Sequence, residues 1–412
     1  MSTVPKAFRL HLGIFGRRNA GKSSLLNALT RQKSSIVSDI AGTTTDPVEK
    51  TMELLPLGPV LFIDTAGIDD DGVLGQMRIE KTVQVFDRTE IGLLVVDLSR
   101  GDCHAVWGAF EQRIVDELQK RNVPVIVVLS RSDLVADPTE LKAMLDEKKL
   151  PFVVVSCPPN QVPTGLAQLK DALVRVVPEE FLSPPPIVSD LVDPGEVVIL
   201  VVPIDKEAPK GRLILPQVQT IRDLLDGDRF CIVVRENRLA DAIERLNRPP
   251  QLVVTDSQAF KLVASIVPDT IPLTSFSILF ARQKGDFKTM VDGANTISRL
   301  SPHARVLIAE ACSHHPISED IGTQKIPNWL RQTVADTIEI GHVQGHDFPA
   351  TAQELATWDL VIHCGACVWN RREMLSRIAH CVEAGVPITN YGLAIAAMHG
   401  ILARAVKPIY GD

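Results

Sequence analysis

The sequence has no apolar run near the roughly 20 residues a bilayer-spanning helix needs, no low-complexity tract and no excess of positive charge. The first absence argues against a helical membrane span, and the second leaves the composition of an ordinary globular protein. A formal net charge of −7 and a pI near 5.8 argue against a surface built to coat nucleic acid or an anionic membrane. The opening stretch MSTVPKAFRLHLGIFG lacks the layout of a secretory signal and runs straight into a strand pattern. The expected compartment is therefore the cytoplasm. No GxGxxG fingerprint occurs in the C-terminal third, which argues against a dinucleotide-dependent redox enzyme there. At 412 residues, 45% hydrophobic and 23% charged, the chain exceeds one ordinary core, and two or three domains are expected.

What is present is a long alternation of apolar runs and helical spacings. Strands are expected at Arg9–Phe15, Val60–Asp64, Ile91–Asp97, Val123–Ser130 and Pro151–Ser156, with helices at Lys22–Thr30, Val106–Lys120 and Thr139–Lys148. Such alternation predicts an α/β fold, a mostly parallel sheet covered by helices. The Ser183-Pro184-Pro185-Pro186 stretch reads as a linker. Beyond it, strands are expected at Glu196–Pro203, Phe230–Val234 and Gln251–Thr255, and helices within Gly211–Asp228 and at Leu239–Leu246 and Ser257–Ser265. This region carries no chemical constellation and reads as a packing or self-association module. A third alternating region starts near Pro272, with strands expected at Phe276–Phe280, Arg305–Ala309, Asp359–His363 and Val386–Thr389. Helices are expected there at Lys284–Leu300 and Arg371–Ala384. The expected domain limits are 1–180, 187–268 and 269–412.

Gly16-Arg17-Arg18-Asn19-Ala20-Gly21-Lys22-Ser23-Ser24 fits GxxxxGK[ST], placed after a strand and before a helix. Glycines at both ends let backbone N–H groups curl around phosphates, and the helix N-terminus adds positive potential. Lys22 is expected to reach the β- and γ-phosphates, and the Ser23 hydroxyl to ligate magnesium. Asp64-Thr65-Ala66-Gly67 ends the next expected parallel strand: Asp64 would hold magnesium through water, and the Gly67 amide would meet the γ-phosphate. Gly42-Thr43-Thr44-Thr45-Asp46 precedes it and can supply a threonine hydroxyl to the metal. Ser130-Arg131-Ser132-Asp133 follows the strand Val123–Leu129. There Asp133 can accept hydrogen bonds from guanine N1–H and N2–H₂, which adenine does not offer, and Ser156 stands where it can brace the base. Their order and spacing predict a domain that binds GTP with magnesium and hydrolyses it.

The segments GRRNAGKSSLLNAL, GTTTD and DTAG resemble the Era/TrmE-type branch of translation-factor-related GTPases. By that resemblance Thr44 is the magnesium-binding switch threonine, Lys22, Thr44 and Gly67 carry catalysis, and Asn19 marks a potassium site. Ile68 stands where Ras-like enzymes carry a catalytic glutamine. A hydrophobic side chain cannot orient water, so the resemblance implies slow unaided turnover assisted by potassium. The family's guanine motif NKxD is replaced here by Ser130-Arg131-Ser132-Asp133. Asp133 keeps the selectivity contact, whereas Ser130 cannot form an asparagine's amide bridges. Arg131 can lay its stem across the purine face, and modest guanine affinity is expected.

Of the seven cysteines, Cys103, Cys157, Cys231 and Cys381 stand alone and read as core or incidental thiols. Cys312-Ser313-His314 and His363-Cys364-Gly365-Ala366-Cys367 each follow an apolar run. If both runs belong to one parallel sheet, the three thiols meet at its C-terminal edge, where open α/β sheets bind ligands. Residue types alone leave three readings: a closed Cys₃His zinc site, an iron–sulfur cluster on three thiolates, or a CxxC that holds nothing or forms a redox pair beside an unrelated Cys312. CxH followed about fifty residues later by HCxxC, behind such a GTPase domain, resembles the [FeFe]-hydrogenase maturation GTPases of the HydF family. That resemblance implies a GTPase domain, a dimerisation domain and a cluster domain. It implies a [4Fe-4S] cluster on Cys312, Cys364 and Cys367, with His314 and His363 as further candidates and His303, Glu310 and His315 nearby. It implies a scaffold that carries a di-iron precursor to apo-[FeFe]-hydrogenase, with radical-SAM maturases as partners and a homodimer or larger assembly. The rival expectations are a ribosome- or tRNA-associated GTPase and a GTPase with a structural zinc domain for docking.

Overall fold

The computed structural model describes residues 4–30, 47–65, 82–134, 138–158, 161–204, 211–311, 320–349 and 351–411. They fall into two compact units, Met1–Pro184 and Pro185–Asp412.

The first unit is built on six strands: β1 Leu10–Phe15, β2 Val48–Leu54, β3 Gly58–Asp64, β4 Ile91–Asp97, β5 Val125–Ser130 and β6 Phe152–Val154. Their order is β2-β3-β1-β4-β5-β6. All neighbours are parallel except the β2–β3 hairpin. Every residue of β1, β4 and β5 is buried, because helices cover both faces of the sheet. Alternate residues serve opposite cores. Leu93 and Val95 join Leu25, Leu29 and Leu169 on one side, while Leu94 and Val96 join Ile114 and Leu118 on the other. The strand order reverses direction between β1 and β4, so the loop after β1 opens at the crevice where such sheets take ligands. The expected Val106–Lys120 helix is interrupted at Gly108. Its long part, Ala109–Lys120, starts with the Glu111 carboxylate accepting from the Gly108 amide at 2.9 Å.

The second unit carries two parallel four-stranded sheets. One contains β7 Val197–Val201, β8 Phe230–Val234, β9 Leu252–Thr255 and β10 Leu273–Ser275, in the order β10-β9-β7-β8. The other contains β11 Arg305–Glu310, β12 Glu339–Gln344, β13 Leu360–His363 and β14 Ile388–Asn390, in the order β12-β11-β13-β14. One apolar cluster runs from Ile199 and Val253 of the first sheet to Leu307 and Val361 of the second.

The strand expected at Phe276–Phe280 is instead the start of a helix, Phe276–Lys284. Phe276, Ile278, Leu279 and Phe280 are all buried, and Ser275 caps the helix by accepting from the Ile278 amide. A run this short, buried at four of its five residues, has too little periodicity to tell strand from helix. The strand lies just before it, in β10, which pairs with β9. The first sheet of this unit thus extends past the limit expected at residue 268. The expected Lys284–Leu300 helix breaks at Gly285 and resumes as Phe287–Asn295, capped by Asp286. Among the described residues no helix is long and apolar enough to cross a membrane.

Candidate functional site

In the first unit the chain leaves β1 at Gly16 with φ 142°, where a Cβ would collide with the Val95 carbonyl oxygen. Asn19 and Gly21 also take positive φ, 63° and 97°. Positive-φ turns of this kind are what allow such a loop to curl around a phosphate. The buried Lys22 ammonium donates to the Gly16 and Arg17 carbonyls, both at 2.8 Å, which holds it at the loop's rim. Asp64 lies opposite Ile14 at the end of β3. Burial pushes its carboxyl up to about 6 against the pull of Lys22, Lys50 and the Ser23 hydroxyl. Its Oδ1 is buried without a hydrogen-bond partner. A buried oxygen left unpaired beside a serine hydroxyl fits the oxygen-donor set of a hard cation such as magnesium.

Next to this loop is a cavity of about 260 Å³ lined by Gly21, Leu25, Ser130, Arg131, Asp133 and Cys157, among others. The Ser156 hydroxyl donates to Asp133 Oδ1, so Ser156 orients that carboxylate at the cavity wall. Ser130 does more than the missing asparagine suggested: its hydroxyl donates to the Ala20 carbonyl at 2.7 Å, tying β5 to the phosphate loop. That uses its proton and leaves only lone pairs for a ligand. Arg131, at φ 57°, donates to Asp97 at 2.7 Å and to the Asn19 carbonyl at 2.8 Å, so its guanidinium locks the loop as well as lining the cavity. Sequence reasoning missed Asp97, although an aspartate ending an apolar strand was a legible signal. It also missed Glu111, which takes a bidentate pair from Arg17 at 2.6 and 2.9 Å. Thr44, Gly67 and Ile68 lie outside the described residues.

In the second unit β11 and β13 are neighbours, with Ala309 opposite His363. Their C-terminal ends therefore share one edge. The Cys364 amide donates to the Ala309 carbonyl at 2.8 Å, and the Ala311 amide donates to Cys364 Sγ at 3.1 Å. Cys312 is the next residue in the chain after Ala311; it, His314 and His315 lie outside the described residues. Among the described residues no three metal-ligating side chains come together. Cys364 and Cys367 are half-buried thiols outside any disulfide, on a turn that places Ala366 at φ 47°. Burial pushes the Cys367 thiol up, while the Lys284 charge and the Cys367 and Val368 amides pull it down.

His363 is fully buried, and both of its ring nitrogens have protein partners. Arg377 donates to Nε2 at 2.9 Å, which leaves the proton on Nδ1 to donate to the Cys364 carbonyl at 2.8 Å. Burial and the Arg377 charge hold it neutral, pushed down to about 3. This arrangement makes His363 a support for the turn and gives it no nitrogen for a metal. Arg377 is packed between Trp369 and Phe348, 4.1 and 4.4 Å from the ring centroids, and donates to the Gly345 carbonyl at 2.6 Å. Glu310 is buried under hydrogen bonds from Tyr391 and Gln344. Of the solitary thiols, Cys381 is a core residue pushed up to about 12 by burial, whereas Cys157 lines the cavity of the first unit.

Residues 187–285 match the model of the hydrogen maturase F dimerization domain, and residues 288–408 match that of the hydrogen maturase F tetramerization domain. The chain belongs to the hydrogen maturase F family. The family's two domain models meet just after the Phe276–Lys284 helix, later than the limit expected from sequence. Residues 11–131 match the model of a 50S ribosome-binding GTPase. The first unit is also similar to the tRNA modification GTPase MnmE of Synechococcus elongatus, 36% identical over 42% of this chain and 37% of that protein. GTPase Der of Wolinella succinogenes is 39% identical over 30% of this chain and 26% of its own length. The chain thus spans about a third of the length of these curated relatives. Among solved structures, Aquifex aeolicus Era bound to GDP·AlF4⁻ aligns over 57% of this chain and 98% of its own, at 20% identity and a TM-score of 0.34.

Proposed function

We propose that this member of the hydrogen maturase F family binds GTP/GDP with magnesium, hydrolyses GTP, and carries a [4Fe-4S] cluster on which a di-iron precursor is held for apo-[FeFe]-hydrogenase. Lys22 would face the β- and γ-phosphates, Ser23, Asp64 and Thr44 would hold the magnesium, and Asp133 would select guanine. Magnesium supplies charge neutralisation of the phosphates as they separate. Potassium at Asn19 would assist turnover, since Ile68 cannot orient water. Exchanging potassium for sodium is expected to slow GTP hydrolysis several-fold, measured as phosphate release at fixed ionic strength; equal rates would remove the potassium site.

Cys312, Cys364 and Cys367 would ligate the cluster, and radical-SAM maturases would act as partners. The observation that carries this reading is the pairing of β11 with β13, which starts both cysteine-bearing loops from one sheet edge, with the Ala311 amide on Cys364 Sγ. Three thiolates leave one iron position open, as a carrier that must release its cargo requires. The test is anaerobic reconstitution with iron and sulfide, followed by metal analysis and paramagnetic resonance of the reduced protein. A Cys364→Ala chain is expected to lose most of its iron and its signal. Zinc alone in the wild-type chain would favour the docking reading instead. RNA retained at moderate salt would favour the RNA-associated reading that the GTPase relatives' names suggest.

Self-association would use β8. Among the described residues this strand pairs only with β7, and Phe230 and Val233 are 64% and 44% exposed on it. An apolar sheet edge of this kind is a template for another strand, and it lies within the dimerization-domain match. A Phe230→Asp, Val233→Lys chain is expected to run as a monomer in light scattering; an unchanged mass would move the interface elsewhere.

A further inference from the structure

Lys284, the last residue of the Phe276–Lys284 helix, is 4% exposed. Its ammonium donates to the carbonyls of Ala366 at 2.8 Å, Trp369 at 2.6 Å and Cys367 at 3.3 Å. An ammonium has three N–H donors, and all three go to the backbone of the turn that carries Cys364 and Cys367. None remains for a bound molecule, so the side chain acts on the turn itself. The neighbouring Gln283 carbonyl accepts from Arg371 at 3.0 Å, fixing the same helix end to the element that follows the turn. With the 366 and 367 carbonyls drawn toward Lys284, the Cys367 and Val368 amides are left on the side of the Cys367 sulfur.

We propose that Lys284 is the positioning cation of the thiol-bearing turn: it holds the carbonyls on one side, so that amides and sulfurs present the other, and its charge offsets the negative charge that thiolate ligation brings there. The charge-offset half rests on the iron–sulfur reading, while the geometric half does not. The helix that carries Lys284 falls within the dimerization-domain match, whereas the turn falls within the tetramerization-domain match. The contact therefore joins the two family-matched segments at the thiol-bearing turn.

The test uses the full chain in Lys284→Met, Lys284→Gln and Lys284→Arg forms. In cluster-free protein, hydrogen exchange of the 364–370 amides is expected to be at least tenfold faster in Lys284→Met. It is expected to be intermediate in Lys284→Gln, which keeps two donors and serves if the Met chain does not fold. After anaerobic reconstitution, the cluster's midpoint potential is expected to move to more negative values in both neutral variants. Removing a nearby positive charge disfavours the added electron. Lys284→Arg is expected to return the potential toward the wild-type value. Unchanged exchange in a folded neutral variant overturns the clamp. Faster exchange with an unmoved potential overturns the charge offset. A wild-type chain that takes up no iron sinks the scaffold reading, and the exchange comparison alone then decides the clamp.

Discussion

An Asp133→Asn chain is expected to bind GTP about a hundredfold more weakly while gaining affinity for XTP. The carboxylate can accept from both N1–H and N2–H₂ of guanine, and a hydrogen bond to a charged acceptor is worth roughly 1.5–3 kcal/mol. Asparagine keeps one acceptor and replaces the other with a donor, so a donor faces a donor. Losing about 3 kcal/mol corresponds to roughly a hundredfold in affinity. Xanthine presents a carbonyl at C2, which an amide N–H matches. The Ser156 hydroxyl, which donates to Asp133 Oδ1, would hold the side chain in place for this contact. Titration with fluorescent GTP and XTP analogues measures both arms. Equal loss for the two nucleotides would mean that the substitution damaged the cavity without reading the base.

Arg377→Ala is expected to destabilise the second unit by about 3 kcal/mol at pH 8. Arg377 is 6% exposed, stacks on two aromatic rings and donates to His363 and to the Gly345 carbonyl. Charged hydrogen bonds and a desolvated cation–π contact are each worth roughly 2 kcal/mol, part of which is recovered by relaxation. The deficit should also depend on pH. His363 is pushed from 6.5 down to about 3 by burial and by the Arg377 charge. The unfolded chain therefore binds a proton between these values that the native state refuses, so stability is complete above about pH 6.5 and declines as pH falls through that window. At pH 5 this loss is on the order of 2 kcal/mol. Removing Arg377 relieves one of its two causes, so the variant's stability should fall less steeply toward pH 5. Denaturant unfolding at pH 8 and pH 5 checks it; parallel pH curves for the two chains would dissociate His363 from Arg377.

Much of the first unit was legible because its chemistry is local in sequence. The GxxxxGK[ST] loop needs its glycines, lysine and serine in one stretch, and the glycine φ values of 142° and 97° are what that pattern demands. β2 was missed although Val48-Glu49-Lys50-Thr51-Met52-Glu53-Leu54 alternates as a half-exposed edge strand should. Phe276–Phe280 was not legible in the same sense, since burial on every side erases the pattern that separates strand from helix. At the candidate nucleotide site, Asp133 and Ser156 were both singled out from sequence, but the contact between them was not, because it joins the ends of two strands.

The sequence alone determined the phosphate loop, the strand-end aspartate proposed to read guanine and the two cysteine-bearing segments, each written in a few adjacent residues. Tertiary structure decided which side chains serve them. Lys284 reaches Ala366 across 82 positions of chain, and Arg131 reaches Asn19 across 112. A side-chain cation finds such distant acceptors through packing, and residue order carries no record of that distance. Only the fold turned His363 inward onto Arg377, where a sequence motif had offered it as a ligand.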